Sequence, residues 1–159
     1  MKKLLILFIC LVISGCVTSA PRPHLVAFDE VDFLPYAGTG TGKIIGQAFL
    51  KTRGGDVKYG AGNEVMLVPN TPYTSEIIDA MVDNVLMEVP DRRYRKYRRT
   101  TRADGQGNFE FNNLPDGEYL VGCNIQWEVG GKHTRVTGAY AYTRVSIEDG
   151  KAVKIILTR

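Results

Sequence analysis

The chain reads as a β-sandwich with one inserted helix, and three observations lead there. Short runs rich in Val, Ile, Tyr and Phe recur over residues 43–159, separated by turns built on Gly, Asp or Asn. One stretch, residues 74–89, breaks that rhythm with apolar residues at three-and-four spacing. The body of the chain also has a single cysteine, Cys123, so a hydrophobic core rather than an intrachain disulfide must hold it together.

Met1-Lys2-Lys3 is a positively charged start, and residues 4–13 form an apolar run too short to span a bilayer as a stable helix. Ile13-Ser14-Gly15-Cys16 follows, small residues leading to a cysteine. This sequence resembles the lipobox of bacterial lipoproteins. The resemblance implies that residues 1–15 are a signal peptide removed ahead of Cys16. It also implies that Cys16 is acylated on its thiol and on its new N-terminus, so the protein is exported and tied to a membrane by lipid. A plain secretory signal with a chance cysteine is the alternative. Val17, where an aspartate would favour retention at the inner membrane, points by the same resemblance to the outer membrane. No later run is apolar for long enough to cross a bilayer, so the acyl chains are the expected anchor.

Cleavage before Cys16 leaves 144 of 159 residues, the size of one domain. Lys2 and Lys3 leave with the signal, so 20 basic residues become 18 against 17 acidic ones. A nearly neutral chain has no bulk attraction for nucleic acid, and export argues against that partner as well. Cys123 shares strand parity with Tyr119, Val121, Ile125 and Trp127, which makes it a small core residue.

Residues 16–42 read as a lipidated N-terminus and tether. Ala20-Pro21-Arg22-Pro23 is extended and the Gly-Thr repeat at 38–42 is flexible. Val26, Phe28, Val31, Phe33, Leu34 and Tyr36 are too apolar for a pure linker, so this stretch either packs along the domain or binds a partner. Fully extended, residues 17–42 would reach about 85 Å. Strands are then expected at 43–51, which ends at the Arg53-Gly54-Gly55-Asp56 turn, and at 63–69, whose apolar residues on both faces call for cover on both sides. The helix over 74–89 starts at a Thr71 or Thr74 cap and stops at Pro90; its apolar stripe serves as core cover. A polar strand over 94–103 follows, then the turn 104–107 and a short strand 108–112 with Phe109 and Phe111 inward. After the Leu114–Gly117 turn, the central strand runs over 118–129 and turns at Gly130-Gly131-Lys132. Residues 134–147 return, and Glu148-Asp149-Gly150 closes a last hairpin into a strand carrying Val153, Ile155 and Leu157. That makes seven strands.

The run Thr101-Arg102-Ala103-Asp104-Gly105-Gln106-Gly107-Asn108-Phe109-Glu110-Phe111, followed by Leu114-Pro115-Asp116-Gly117-Glu118-Tyr119, resembles the signature of carboxypeptidase-regulatory-like domains. These are prealbumin-like β-sandwiches. Asp104 suits a turn whose backbone N–H groups it accepts, Gly107 suits a positive φ, and Tyr119 suits a core ring with its hydroxyl near the edge. Gly46 to Phe49 and Gly62 to Leu67 fit the family's opening strands, so the resemblance covers 43–159. The helix and the basic stretch after it depart from the pattern. Domains of this family are accessory modules, so the resemblance implies a fold rather than a task.

No catalytic, metal or cofactor site is expected. His24 and His133 have no ligand neighbours at useful spacing, no Gly-x-Ser-x-Gly occurs, and Gly40-Thr41-Gly42-Lys43 is not a phosphate loop. The chain ends Ile-Leu-Thr-Arg, unlike the Tyr-Arg-Gly-Ser of related sandwich enzymes. The outstanding surface feature is residues 91–99, in which Arg92, Arg93, Arg95, Lys96, Arg98 and Arg99 supply six cations in nine residues. As an extended strand this segment would place Arg93, Arg95, Tyr97 and Arg99 on one face, with Arg92, Tyr94, Lys96 and Arg98 on the other. Tyr94 and Tyr97 would add stacking surfaces for an anionic partner. Two readings stand: an edge strand guarded by charge, or contact with anionic envelope material such as lipid headgroups, polysaccharide or an acidic protein. The expected function is a non-enzymatic, lipid-anchored envelope module. The alternative is a carrier of a small ligand or glycan, with a pocket under the helix containing Trp127 or Tyr142.

Overall fold

The computed structural model describes residues 20–130 and 134–159. The expected signal 1–15, Cys16 and the residues of the expected turn at Gly131, Lys132 and His133 lie outside them. Eight strands form: β1 (Gly42–Lys51), β2 (Val57–Tyr59), β3 (Glu64–Pro69), β4 (Arg99–Arg102), β5 (Asn108–Leu114), β6 (Gly117–Val129), β7 (Arg135–Ile147) and β8 (Ala152–Leu157). They build two four-stranded sheets. In the first, β1 pairs antiparallel with β5 over residues 42–47 and with β2 over 49–51, and parallel with β8 over 43–48. The second has the order β4-β3-β6-β7 and is antiparallel throughout. The mainly β sandwich is the fold.

Three details of the strand reading change, the third of them in the basic segment 91–99. The additional strand is β2, whose three residues are too few for alternation to register in sequence. The last hairpin does not form within one sheet. Asp149 and Gly150 both turn at positive φ, 56° and 64°, but β8 crosses to the first sheet and takes the edge of β1. From there Leu157 faces the core while Ile156 faces out.

Between the sheets lie Ile44, Val65, Leu67, Phe109, Phe111, Leu114, Tyr119, Val121, Cys123, Ile125 and Ile147. Cys123 is buried, and burial pushes its thiol up to about 11. The turn before β5 forms as its residues dictate. Asp104 Oδ1 accepts the N–H groups of Gln106 and Asn108, both at 2.8 Å. Gly107 sits at φ 79°, where a Cβ would also lie 2.3 Å from the Ala48 carbonyl oxygen. Tyr119 donates its hydroxyl to the Pro115 carbonyl at 2.8 Å, and burial pushes its pKa up to about 12.

A helical layer covers the other face of the second sheet. It comprises α1 (Pro72–Val82), 3-10 helices at Glu30–Tyr36 and Arg92–Lys96, and the extended N-terminal segment 20–28. β3 therefore is covered on both sides, with Val65 and Leu67 in the sandwich core and Met66 and Val68 under the helices. Phe33, Tyr73, Ile77, Ile78, Tyr94, Tyr97 and Leu120 complete this second core. Residues 20–36 thus pack along the domain. Phe33 is fully buried, and Phe28 stacks on it at 4.7 Å.

Helix α1 opens with a capping box. Thr71 accepts the Thr74 N–H, and the Thr74 hydroxyl accepts the Thr71 N–H. It ends at Val82 and does not continue to 89. Asn84 turns left-handed at φ 54°, and the backbone of residues 86–88 is engaged by Arg22. Val85, Leu86 and Val89 continue the helical spacing in sequence but are exposed in the fold.

Candidate functional site

The basic segment is not a strand. Residues 92–96 form a 3-10 helix whose start is capped by Asp91, and β4 begins only at Arg99. The two tyrosines explain why. A strand would point Tyr94 and Tyr97 to opposite faces, whereas three residues per turn brings both to the second core. Both are buried, so neither offers a stacking surface, and burial pushes the Tyr94 pKa up to about 12.

The cations are dispersed accordingly. Arg93 pairs with Asp91 at 2.9 Å and lies over the Phe28 ring at 4.7 Å. Hydrogen bonds from Arg93 hold the Asp91 carboxyl down at about 2. Lys96 faces Glu30 at 3.6 Å, and Arg98 pairs with Glu64. Arg99 donates to the carbonyls of Asn112, Asn113 and Gly38, at 3.3, 3.2 and 3.5 Å. Arg92 and Arg95 are exposed, with no hydrogen bond or ion pair among the described residues. The fold therefore leaves two of the six cations uncommitted.

A different feature gathers recognition groups. A cleft of about 840 Å³ opens between the C-terminal end of α1 and the face of β6 and β7 on the helical side. Met81, Val85 and Leu86 form an apolar wall. Asn124 and Gln126 of β6, with Asn84 and Arg159, supply amides and a guanidinium. Cross-strand register sets the floor. Asn124 opposes Tyr140, and Gln126 opposes Gly138, where a Cβ would lie 2.1 Å from the Ile125 carbonyl oxygen, so only glycine lets β7 pass this close to β6. Tyr140 reaches across Gly122, where a Cβ would lie 2.2 Å from its hydroxyl. That hydroxyl is buried without a hydrogen-bond partner among the described residues, and burial raises its pKa.

Among the described residues, no acidic, histidine or cysteine side chain lines this cleft. Its groups can donate and accept hydrogen bonds and cover an apolar ring face, which suits reversible binding. Trp127 and Tyr142, the aromatic residues expected in a pocket under the helix, do not line it. Trp127 packs on the sandwich core at the opposite face of β6. The amides were not singled out in sequence because they alternate with core residues like any solvent-facing strand positions. Alternation along β6 puts Asn124 and Gln126 on one face, but only tertiary packing brings Asn84 and the apolar wall to them.

Glu76 is another residue that sequence reasoning passed over. From α1 it accepts the N–H groups of Leu25 at 2.9 Å and Val26 at 3.2 Å, and it lies 3.6 Å from both Arg22 and His24. Burial opposes its ionisation, but these N–H groups, with His24 and Arg22, outweigh it and hold the carboxyl below its usual pKa. The residue clamps the N-terminal segment to the helix.

No protein-family model and no curated protein sequence matches the chain. Among solved structures, a Pseudomonas aeruginosa protein described as a proposed carbohydrate-binding protein superposes with a TM-score of 0.77. It is 25% identical, and the match covers 85% of this chain and 99% of that one. Looser matches include a minor pilin of Streptococcus agalactiae, with TM-score 0.42, 18% identity and 76% and 44% coverage. The major pilin subunit of Bacillus cereus gives 0.43, 16%, and 76% and 30% coverage. The first of these likenesses agrees with the β-sandwich described above.

Proposed function

We propose that this protein is a non-enzymatic, lipid-anchored envelope module that binds a saccharide in the cleft beside α1. The carrying observation is the mixed lining, with apolar Met81, Val85 and Leu86 beside Asn84 at the end of α1 and the amides Asn124 and Gln126 on β6. A pyranose has the same division, with an apolar C–H face and a rim of hydroxyls that amides bond as both donors and acceptors. The structural likeness to a proposed carbohydrate-binding protein supports this reading. Lipid attachment at Cys16 and residence at the outer membrane belong to the same proposal and rest on the lipobox resemblance. The carboxypeptidase-regulatory-like assignment likewise rests on the Asp104–Tyr119 motif. The cleft is favoured over the basic segment because four of that segment's six cations already have protein partners.

A glycan array of envelope saccharides, followed by calorimetry on the best binder, tests the cleft. Asn124→Ala with Gln126→Ala should weaken binding about tenfold or more, because each amide hydrogen bond contributes about 0.5–1.5 kcal/mol. Both side chains are exposed, so the thermal midpoint should barely move. Unchanged affinity in the double variant would remove the cleft from consideration.

A further inference from the structure

We propose that the part of the helical layer carrying Leu25, Leu86 and Val89 rests on the membrane surface into which an acylated Cys16 inserts. This rests on the lipid-anchor reading and adds an orientation to it.

The first ground is reach. If residues 17–42 were free, the anchor would be a long tether. The chain is instead fixed at Arg22, whose N–H donates to the Leu86 carbonyl at 2.8 Å and whose carbonyl accepts the Glu88 N–H at 2.9 Å. Cys16 is six residues before Arg22. Even fully extended, those residues span only about 20 Å. The docking point is therefore held close to the bilayer, and a short leash raises the effective concentration of whatever surrounds it at that surface.

What surrounds it is apolar. Leu25 and Val89 are each 79% exposed and Leu86 is 68% exposed, more than any other large apolar side chain among the described residues. All three adjoin the docking point along the backbone. Leu86 supplies the carbonyl that Arg22 binds, Val89 follows Glu88, and Leu25 lies three residues past Arg22. Val31 and Leu34 of the neighbouring 3-10 helix are exposed as well. Such side chains are accommodated at the boundary of headgroups and acyl chains. Glu88 stands beside the cluster and Asp79 and Asp83 lie on the same layer, which also carries the uncommitted Arg92 and Arg95. With charges of both signs on the layer, the apolar side chains set the contact, and a neutral lipid surface suffices. Leu86 also lines the cleft, so a docked domain presents the cleft beside the headgroups.

The test uses the mature chain beginning at Cys16, coupled through that thiol to a maleimide lipid in phosphatidylcholine vesicles. Cys123 is buried and does not compete. Chemical coupling separates this question from whether cells acylate Cys16. In a Trp127→Phe background, a single tryptophan is placed as Leu86→Trp, Val89→Trp or Ile156→Trp, the last on the outward side of the first sheet. Brominated acyl chains should quench the first two by at least half relative to plain lipid and leave the third unchanged. Equal quenching at all three positions, or none at 86 and 89, overturns the orientation while leaving the anchor intact. A concentration-dependent shift of the 86 and 89 probes without vesicles would assign the face to a second copy and also overturn it.

Discussion

Phe109 and Phe111 meet edge to face, 6.1 Å between centroids, with both rings buried between the sheets. Phe109→Ala should cost about 3–5 kcal/mol, read from the urea midpoint, because the closed sandwich cannot collapse onto the cavity. A loss under about 1 kcal/mol would contradict that packing. Glu76 gives a pH prediction. Its folded pKa is depressed, so its clamp on the N-terminal segment is fully present above the unfolded carboxylate range, about 4.3, and is lost as pH falls through the folded value. Hydrogen exchange at the Leu25 and Val26 amides should therefore speed up as pH falls below the ordinary carboxylate range, beyond the intrinsic pH effect, and Glu76→Gln should flatten that response. At this scale, legibility follows sequence distance. Asp104 and Tyr119 act on partners a few residues away, and the motif shows them. Glu76 binds backbone some fifty residues upstream, for which sequence carries no local signal.

Among the elements, those fixed by neighbouring residues were readable and those fixed by tertiary contact were not. Thr71 and Pro72 announce the start of α1, but its end is set by Asn84 and by Arg22 taking the backbone of 86–88. The basic segment misled because its charges dominate the sequence while its two tyrosines decide the conformation. This yields a contrast that a solubilising strand would not give. Arg99→Ala should destabilise by about 1–3 kcal/mol, since its guanidinium ties β4 to the carbonyls of Asn112 and Asn113. Reversing the uncommitted pair, Arg92→Glu with Arg95→Glu, should stay within about 0.5 kcal/mol. Thermal or urea midpoints of the two variants decide it, and equal losses would refute the division.

For the whole molecule, the sandwich was legible because alternation and turn residues recur through residues 43–159. The third layer was not, because the apolar residues of 26–36 fit a sticky tether as well as a docked segment. Lipid attachment is a prediction at this scale too. Cys16→Ser should abolish incorporation of a fatty-acid analogue and release the protein from the membrane fraction, and equal labelling of both forms would refute it. The parallel pairing of β1 with β8 bears on the order in which the molecule is made. Lys43 to Ala48 lie against Ala152 to Leu157, more than a hundred residues apart in sequence, whereas β6 and β7 close a local hairpin. A chain synthesised from its N-terminus can thus form the hairpin early, but the first strand waits for residues 152–157 before its edge is filled. During that interval the nascent chain cannot complete its first sheet, so the pairing of Ala152 to Leu157 with β1 is the step that commits it to the folded state.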